Sequence, residues 1–481
     1  MTLAAQLAFS LYFLLIAAIS YAALTRTRSP NDYIIGSRSL SAPVAALSAG
    51  ASDMSGWLLL GLPGAVFLSG LAESWIVVGL VIGAWVNWRV VAGRLRQFSE
   101  ALDDAVTLPQ FFARRVGGDA AFLRIVSTLL VIAFFTIYTA AGFVAGAKLF
   151  ASTLGLEYVV ALALGVGIIM IYTAIGGFLA VTWTDFLQAL LMLAALVVVP
   201  ILTLMALPDE PSSARPGTES MSVLGVVSLL AWGLGYFGQP HILARFMAID
   251  DVASVPRARR IAMSWMVVAS IGALSVGVLG ARYFAAGGLA DAETVFIALA
   301  QTVLNPWAAG IVVAAVLAAV MSTVDSQLLV ASTALIEDVL RPRIPDMSPR
   351  AVLWASRATV IVIALAAGAA ALDPDSQVLG LVAYAWAGLG ASFGPAVLFC
   401  LFSRRTTALG LVAGMLTGAA VTVVWHNLSG GLFDLYELLP AFAAAALAIH
   451  LGNRLSKFLR KSVDRSERDA EIAASLFATL R

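Results

Sequence analysis

A run of polar residues interrupts an apolar segment that is long enough to cross a bilayer. The segment extends from about Ala42 to Leu71, and residues 46–57 in its middle read Ala-Leu-Ser-Ala-Gly-Ala-Ser-Asp-Met-Ser-Gly-Trp. Lipid cannot satisfy the backbone groups of a broken helix, so a break is tolerated only where protein or a water-filled cavity covers it. Asp53 would be costly at that depth without a functional role. The pattern therefore predicts a broken membrane helix that binds a small polar species.

A second apolar segment, residues 222–248, contains a similar interruption. Its middle, from Trp232 to His241, reads Trp-Gly-Leu-Gly-Tyr-Phe-Gly-Gln-Pro-His. Three glycines and a proline within eight residues destabilise a continuous helix. We expect a second broken helix here, and two unrelated kinked helices are the alternative interpretation.

Hydroxyl and carboxylate oxygens lie deep within a third apolar segment, residues 306–338. Ser322 and Thr323 are adjacent, and Asp325 and Ser326 follow them closely. Hard cations prefer oxygen ligands, and a nearby broken helix would add backbone carbonyls. Sodium fits because it gives up its water to neutral oxygens more readily than magnesium does. The alternative is a polar contact between two packed helices.

Other polar and aromatic residues allow two interpretations each. Asp185 begins a span and is either an interfacial acid near a helix N-terminus or a station on a cation path. Tyr138 lies in the middle of a span, where its hydroxyl needs a partner or its ring packs in the core. Trp57, Trp232 and Tyr236 flank the two breaks, where their rings either pack between helices or hold the ring and ammonium of a small ligand.

These residues need a membrane-spanning scaffold, and the composition predicts one. Of the 481 residues, 61% are hydrophobic and 12% are charged, whereas about 25% are charged in a soluble domain. A bilayer core about 30 Å thick needs about 20 apolar residues per helix. This rule predicts thirteen spans, near residues 3–24, 42–71, 74–93, 122–154, 157–176, 183–207, 222–248, 260–285, 306–338, 351–371, 376–402, 407–427 and 434–456.

Several classes of function are disfavoured by the composition. The net charge of +1 argues against a nucleic-acid partner, and Cys400, as the only cysteine, excludes an internal disulfide. The three histidines are too far apart in the sequence to suggest a zinc site. No loop is long enough for a soluble catalytic domain, so we expect a transporter and not an enzyme. The first apolar segment lacks a basic start and is too long for a signal peptide, so we expect a retained helix.

Positive charge is distributed unequally between the loops on the two sides. Nearly all of the 29 lysine and arginine residues, Arg245 among them, fall on one side, and only Lys148, Arg215 and Arg282 fall on the other. Cytoplasmic loops carry the excess of positive charge. This topology predicts an external N-terminus and a cytoplasmic C-terminus.

The two predicted breaks occupy matching positions in two sets of five spans. The first set covers residues 42–207, the second covers residues 222–402, and each begins with its broken span. Two such spans indicate a transporter built from an inverted repeat. We expect one peripheral helix before the repeats, at 3–24, two after them, at 407–456, and a cytoplasmic tail at 457–481.

Four segments resemble the sodium/solute symporter family, and within it the bacterial proline symporters. They are Ser48–Trp57, Gly64–Gly70, Gly235–Phe246 and Ala318–Thr323, and the likeness extends from about residue 32 to residue 439. The resemblance implies an all-helical LeuT-type fold with one extra N-terminal and two extra C-terminal helices. It also implies a location in the bacterial inner membrane.

The resemblance further implies roles for individual residues. Sodium would be bound by the carbonyls of Ala51, Met54 and Ala319 and the hydroxyls of Ser322 and Thr323. The positions tied to the substrate are Ser55, Gly56, Trp57, Tyr138, Trp232, Tyr236, Pro240 and Ser326. Arg38, Asp53 and Asp185 match positions associated with ion coupling or the sodium path.

Asp325 departs from the family pattern, because proline symporters have a small neutral residue there and a cysteine at the position of Ser326. The carboxylate would strengthen cation binding, couple a proton or contact the substrate amine, and it leaves the stoichiometry open. We expect sodium-coupled symport of L-proline by alternating access. A sodium symporter for another amino acid or for pantothenate is the nearest alternative, and a channel or a substrate sensor is a more distant one.

Overall fold

The computed structural model describes residues 3–26, 30–117, 120–207, 221–284 and 288–459, and helices make up nearly all of these ranges. The α-helices in chain order are α1 Leu3–Leu24, α2 Pro30–Ile35, α3 Ala42–Asp53, α4 Leu62–Ser69, α5 Ser74–Val86, α6 Ala92–Ala101, α7 Leu108–Val116, α8 Ala121–Leu154, α9 Tyr158–Ile175, α10 Phe178–Met205, α11 Val223–Ala231, α12 Pro240–Ala248, α13 Val255–Tyr283, α14 Val295–Val303, α15 Pro306–Ala334, α16 Pro349–Ala370, α17 Val378–Phe402, α18 Ala408–His426 and α19 Leu438–Leu459.

Many of these helices are suited to a bilayer. Among the described residues, ten helices are long and apolar enough to cross a membrane, and the bent pair of α11 and α12 raises the number to as many as eleven. Each of the thirteen predicted intervals contains helix, but α9 is a shorter apolar helix and Trp57–Ala101 forms one long helical run. The prediction of a multi-pass membrane protein is confirmed, whereas the count of thirteen spans stays a prediction.

Two long helices form the centre of the bundle. In the apolar stretches of α15 and α17 that could cross a membrane, 78% and 83% of the residues are buried, whereas in that of α1 the share is 28%. The polar residues of α15 therefore lie in the protein interior and not against lipid.

The first predicted break is present. Helix α3 ends at Asp53, and Met54 leaves the helical conformation with ψ at 65°. The chain resumes as a π-helical turn at Trp57–Gly61, which leads into α4. Gly56 lies in the break, where a Cβ atom would approach Ala145 Cβ to 2.8 Å, so no larger residue fits without displacing α8.

The second predicted break is also present. Helix α11 ends at Ala231, a 3₁₀ segment covers Trp232–Gly238, and α12 starts at Pro240 after a bend of 47°. Proline suits the first turn of a helix because its missing N–H would have no partner there. The composition of the segment thus explains both the interruption and the position at which the helix restarts.

Two predicted features fall mostly outside the described residues. They are the external loop at 208–221, which includes Arg215, and the tail at 457–481.

Candidate functional site

Oxygen atoms from α3 and α15 meet at the first break. Ser322 Oγ donates to the Ala51 carbonyl at 2.9 Å and lies 3.1 Å from the Ala319 carbonyl. Thr323 Oγ1 lies 3.4 Å and 3.3 Å from the same two carbonyls. Met54 caps α3 three residues beyond Ala51 and is buried. The structure thus brings together four of the five predicted sodium ligands, and the fifth lies at the adjoining helix end.

Asp53 connects the two breaks and does not join this oxygen cluster through any contact found in the described residues. Its Oδ2 accepts a hydrogen bond from the Tyr236 hydroxyl, and its backbone carbonyl accepts one from Trp57 Nε1 at 3.1 Å. Its Oδ1 has no hydrogen-bond partner among the described residues. The Asp53 carboxylate at the first break is therefore held by Tyr236 at the second break.

Aromatic side chains enclose the space between the breaks. The ring centroids of Trp57 and Trp232 are 6.2 Å apart, and Trp232 stacks on Tyr436 at 5.3 Å. Tyr236 meets the edge of Trp386 at 5.2 Å, and Trp386 Nε1 donates to the Trp232 carbonyl at 2.8 Å. These five residues, which we call the aromatic enclosure, present flat faces on a largely desolvated surface; four of them are buried and Tyr436 is half-buried. Such a surface suits the ring and cationic nitrogen of a small zwitterion.

Tyr138 and His241 bring unpaired polar atoms to the same region. Both side chains are buried, and their rings meet edge to face with centroids 6.1 Å apart. Neither the Tyr138 hydroxyl nor the imidazole nitrogens of His241 have a hydrogen-bond partner among the described residues. Buried polar groups are normally paired, so these atoms mark a place where a ligand or water completes the site.

A buried ion pair lies one helical turn along α15 from the oxygen cluster. Asp185 Oδ2 accepts from Arg245 Nη2 at 3.2 Å and from Ser48 Oγ at 2.6 Å. Arg245 also donates to Ser326 Oγ at 2.5 Å. Both charged side chains are fully buried, so Asp185 lies inside the bundle and not on its surface. Ser326, which we predicted to contact substrate, is hydrogen-bonded to Arg245 here.

The interpretation of Arg245 as a loop residue was wrong. Its side chain lies inside the bundle on α12, where it pairs with Asp185 and covers the ring of Phe178 at 5.4 Å. A charge count cannot distinguish an arginine in a loop from one that pairs with an acid 60 residues away. Three other arginines, Arg38, Arg96 and Arg114, all contact residues 99–105 at one end of the bundle, which we call the arginine-rich end.

Asp325 is buried beside this ion pair. The charged groups that influence it most are Asp185 and Arg245, and Ser326 lies close to its carboxylate. Two acids thus share one arginine in an environment that disfavours isolated charge.

At the arginine-rich end, the chain before α3 is tied to two other segments. Arg38 donates to Asp104 Oδ1 at 2.5 Å, to the Met247 carbonyl at 2.6 Å and to the Ala105 carbonyl at 2.9 Å. Burial lowers the pKa of the Arg38 guanidinium, and the hydrogen bond to Asp104 opposes that shift. Leu40 forms a parallel bridge with Ile249 close by. The start of α3 is thereby fastened to the end of α12.

The backbone is strained on both sides of this contact. Ser37, Arg38, Asp103 and Asp104 have φ angles of 47°, 53°, 51° and 59°, and among the described residues they are the only non-glycines with positive φ. Such conformations cost about 1–3 kcal/mol each and persist only where surrounding contacts hold them. We call these two segments, joined by Arg38 and Asp104, the strained latch.

A cavity separates the strained latch from the second break. The cavity is small and is lined by Pro240, Ala244 and Met247 of α12 together with Val131, Val330 and Thr107. Thr107 also donates to Asp338 Oδ2 at 2.7 Å, which joins the start of α7 to the end of α15. Pro240, predicted to contact substrate, therefore lies between the aromatic enclosure and a space that leads toward the arginine-rich end.

The opposite end of the bundle is fastened by a second set of charges. Lys148 of α8 contacts Glu293 at 2.6 Å and Asp291 at 2.9 Å. Glu293 also accepts hydrogen bonds from the amides of Val378 and Leu379 at the start of α17, at 3.1 Å and 3.2 Å. Ion pairs therefore join separate segments of the chain at both ends of the bundle, and the candidate site lies buried between them.

Several residues of the site were not predicted. Trp386, Tyr436 and Asn87 contact the second break, and His241 contacts Tyr138, but nothing in the sequence around them indicated these contacts. His241 is part of the second interrupted segment, but the adjacent Pro240 was sufficient to explain the break, so no role was predicted for the histidine. Their roles depend on contacts between segments far apart in the chain.

Comparison with known proteins gives consistent results. The family model described as "Sodium:solute symporter family" matches residues 33–418. The sodium/proline symporter of Salmonella typhimurium is 48% identical over 93% of this chain and 92% of its own length. The high-affinity proline transporter PutP of Bacillus subtilis is 46% identical over 90% of this chain and 94% of its own length.

Solved structures support the fold. A sodium-coupled sialic acid symporter in a substrate-bound, outward-open state aligns with a TM-score of 0.78 at 16% identity, over 94% of this chain and 98% of the other. The nucleobase-cation-symport-1 transporter Mhp1, in a closed conformation with bromovinylhydantoin, aligns with a TM-score of 0.57 at 16% identity, over 93% and 99%. These similarities confirm the expected LeuT-type, all-helical architecture.

Proposed function

The chain belongs to the sodium:solute symporter family, and we propose that it carries L-proline into the cell together with sodium by alternating access. The proposal of proline rests on relatives that are named for proline transport and share nearly half of their residues with almost the whole chain. Sodium, the coupling ion of the family, is a co-transported substrate in this scheme.

The sodium site that we propose lies between the first break and α15. The Ala51, Met54 and Ala319 carbonyls and the Ser322 and Thr323 hydroxyls would replace the ion's water. The supporting observation is the approach of Ser322 Oγ to the Ala51 carbonyl at 2.9 Å, which places neutral oxygens of both helices around one point. Sodium bound there would hold α3 against α15, and Asp53 would shape the break without touching the ion.

The proline site that we propose lies in the aromatic enclosure. The substrate carboxylate would accept hydrogen bonds from backbone amides near Ser55 and Gly56, where the helix restarts and its dipole favours negative charge. The pyrrolidine ring and the ammonium would face Trp57, Trp232, Tyr236 and Tyr138. The unpaired Tyr138 hydroxyl supports this assignment, because a bound zwitterion would supply its missing partner.

Coupling follows if the two ligands stabilise the same conformation. Sodium would organise the break that supplies the amides for proline, and each ligand would then raise the affinity of the other. We infer that residues 42–207 and 222–402 form the two repeats that move about this site. The arginine-rich end would face the cytoplasm of a bacterial cell, with the N-terminus outside.

Purified protein in proteoliposomes tests this function directly. An inward sodium gradient should drive uptake of labelled proline, and a proton gradient of equal size without sodium should not. Excess unlabelled proline should compete, whereas pantothenate and other amino acids should compete far less. Inhibition by one of those solutes at lower concentration would assign a different substrate. Sodium current that does not saturate with any solute would indicate a channel.

A further inference from the structure

One face of α5 follows the second break in close backbone contact. Gly79, Gly83 and Asn87 are spaced four residues apart and therefore share that face. A Cβ atom at Gly79 would lie 2.5 Å from the Leu230 carbonyl oxygen, and one at Gly83 would lie 2.1 Å from that of Gly233. The glycines thus permit α5 to touch the unwinding chain, and Asn87 is the next residue along the same line.

Asn87 makes a specific contact where the glycines end. Its side chain is fully buried, and Nδ2 donates to the Tyr236 carbonyl at 3.0 Å. It is also the first residue of a π-helical turn, Asn87–Val91, between α5 and α6. Such turns are rare and occur frequently at functional sites.

The Tyr236 carbonyl needs this donor for a reason that lies in the sequence. In a 3₁₀ turn the amide three residues later, in Gln239, would fill its acceptor position, but Gln239 leaves the helical conformation with ψ at 105°. In an α-helix the amide four residues later would fill it. That residue is Pro240, which has no N–H. Asn87 therefore supplies from α5 the hydrogen bond that the second break cannot supply from its own backbone.

Tyr236 then transmits this position to the first break. Its hydroxyl donates to Asp53 Oδ2, and the Asp53 carbonyl accepts from Trp57 Nε1. The four residues form one continuous path from α5 through the second break to the first. Displacing the Tyr236 backbone would move its hydroxyl away from Asp53.

We propose that Asn87 is a positioning residue of the transport cycle. It fixes the unwound backbone at Tyr236 so that the Tyr236 hydroxyl reaches Asp53, and it thereby sustains the coupling between sodium and substrate. This inference rests on the proposed function. If the unmodified protein shows no sodium-driven proline uptake, the proposed function fails; if it transports and the Asn87 variants below are normal, only the role of Asn87 fails.

The test is a double-mutant cycle in proteoliposomes, with the KM for proline measured at several sodium concentrations. Asn87→Leu keeps the side-chain size and removes the donor. We expect it to raise the KM for proline about tenfold, the size of effect that an unsatisfied buried carbonyl produces, and to weaken the dependence of KM on sodium. In the Tyr236→Phe background, which lacks the hydroxyl that Asn87 positions, the same substitution should add less than about twofold.

Controls separate positioning from general damage. Asn453→Leu removes another hydrogen-bonded asparagine, whose Oδ1 accepts from the Thr407 amide and hydroxyl at 2.9 Å each on the peripheral helix α19. Its KM should stay within about twofold of the unmodified protein. If Asn87→Leu does not insert, Asn87→Ala replaces it in the cycle. Unchanged KM and sodium dependence in the Asn87 variant, or penalties that multiply in the double mutant, would overturn the proposal.

Discussion

At the scale of single residues, the hydroxyls of Ser322 and Thr323 are the groups whose loss should affect sodium most directly. Ser322→Ala and Thr323→Val each remove one oxygen from the cluster around the Ala51 carbonyl. We expect each to raise the half-saturating sodium concentration at least about tenfold, equivalent to about 1.4 kcal/mol. The maximal uptake rate should change less than about threefold, since saturating sodium restores the same complex.

Thr323→Ser is the matched control for this prediction, because it keeps the hydroxyl and removes only the methyl group. Its sodium requirement should remain near that of the unmodified protein. Sodium-dependent uptake assayed at saturating proline measures all three variants. An unchanged sodium requirement in both Ser322→Ala and Thr323→Val would show that the ion binds elsewhere.

Trp232 should affect proline and not sodium. Its ring lies between Trp57 and Tyr436, and the ring contacts found for it among the described residues are with these two side chains and not with the oxygen cluster. Trp232→Ala should raise the KM for proline by at least about tenfold, because a buried aromatic contact surface is lost. The half-saturating sodium concentration should change less than about threefold.

A second tryptophan provides the comparison. Trp425 lies on peripheral α18 and donates to the Leu435 carbonyl at 2.8 Å, so Trp425→Ala should leave the KM for proline near normal. Kinetics of labelled uptake at varied proline and sodium give both constants. Equal loss of sodium and proline affinity in Trp232→Ala would indicate a disrupted fold and would remove the residue from the proposed substrate site.

At the scale of elements, the strained latch should keep the start of α3 in its position against the end of α12. The positive φ angles at Arg38 and Asp104 persist while their side chains are joined. Asp104→Asn removes the charge that holds Arg38, and the strain then favours release. We expect the cavity beside Ala244 to become more accessible, so that a thiol reagent labels Ala244→Cys at least about threefold faster.

Cys400 makes this labelling experiment simple, because it is the only cysteine and is replaced in a Cys400→Ser background. Glu100→Gln is the control, since Glu100 pairs with Arg96 at 2.6 Å on the same end of the bundle but is largely exposed. It should not change the labelling rate. Equal rates in Asp104→Asn and the unmodified background would show that the latch does not restrain α3.

The two broken helices were the elements most accessible to prediction. Glycine, serine and proline interrupt α3 and the α11–α12 pair locally, so the sequence around Met54 and before Pro240 suffices to locate each break. The hydroxyls of Ser322 and Thr323 also suggested a cation site, whereas the carbonyls of Ala51, Met54 and Ala319 came from the family resemblance and stay a prediction. Asn87, Trp386 and Tyr436 could not be found in this way. Each of them contacts the second break from a position more than 140 residues away in the sequence. Only the packing of the folded chain shows these contacts.

Arg245 shows the same limit for charge. Its sequence neighbourhood resembles the start of a positively charged loop, whereas its actual partner, Asp185, lies on another helix. Burial of both charges is stable only when they are paired with good geometry, and geometry is absent from a count of loop residues. The topology that we infer does not depend on Arg245, because most of the other arginines in the sequence still fall on one side of the predicted spans.

At the scale of the whole molecule, the accumulation of proline at equilibrium measures how many ions accompany it. The described residues bring together one oxygen cluster at the first break, so we expect one sodium per proline. With the membrane potential held at zero, a tenfold sodium gradient should then support about tenfold accumulation, because each factor of ten corresponds to about 1.4 kcal/mol. A potential of 100 mV would add about 2.3 kcal/mol per charge and raise the ratio to several hundred.

Asp325 makes this measurement informative, because it is a buried acid in the electrostatic field of a second acid, Asp185, and of Arg245. A second coupled sodium would raise the ratio at zero potential to about 100-fold. We expect Asp325→Ser and the unmodified protein to reach the same tenfold ratio, with Asp325 affecting affinity and not stoichiometry. Proteoliposomes with potassium and valinomycin fix the potential for both proteins. A ratio of about 100-fold that falls to tenfold in Asp325→Ser would instead place a transported ion at this carboxylate.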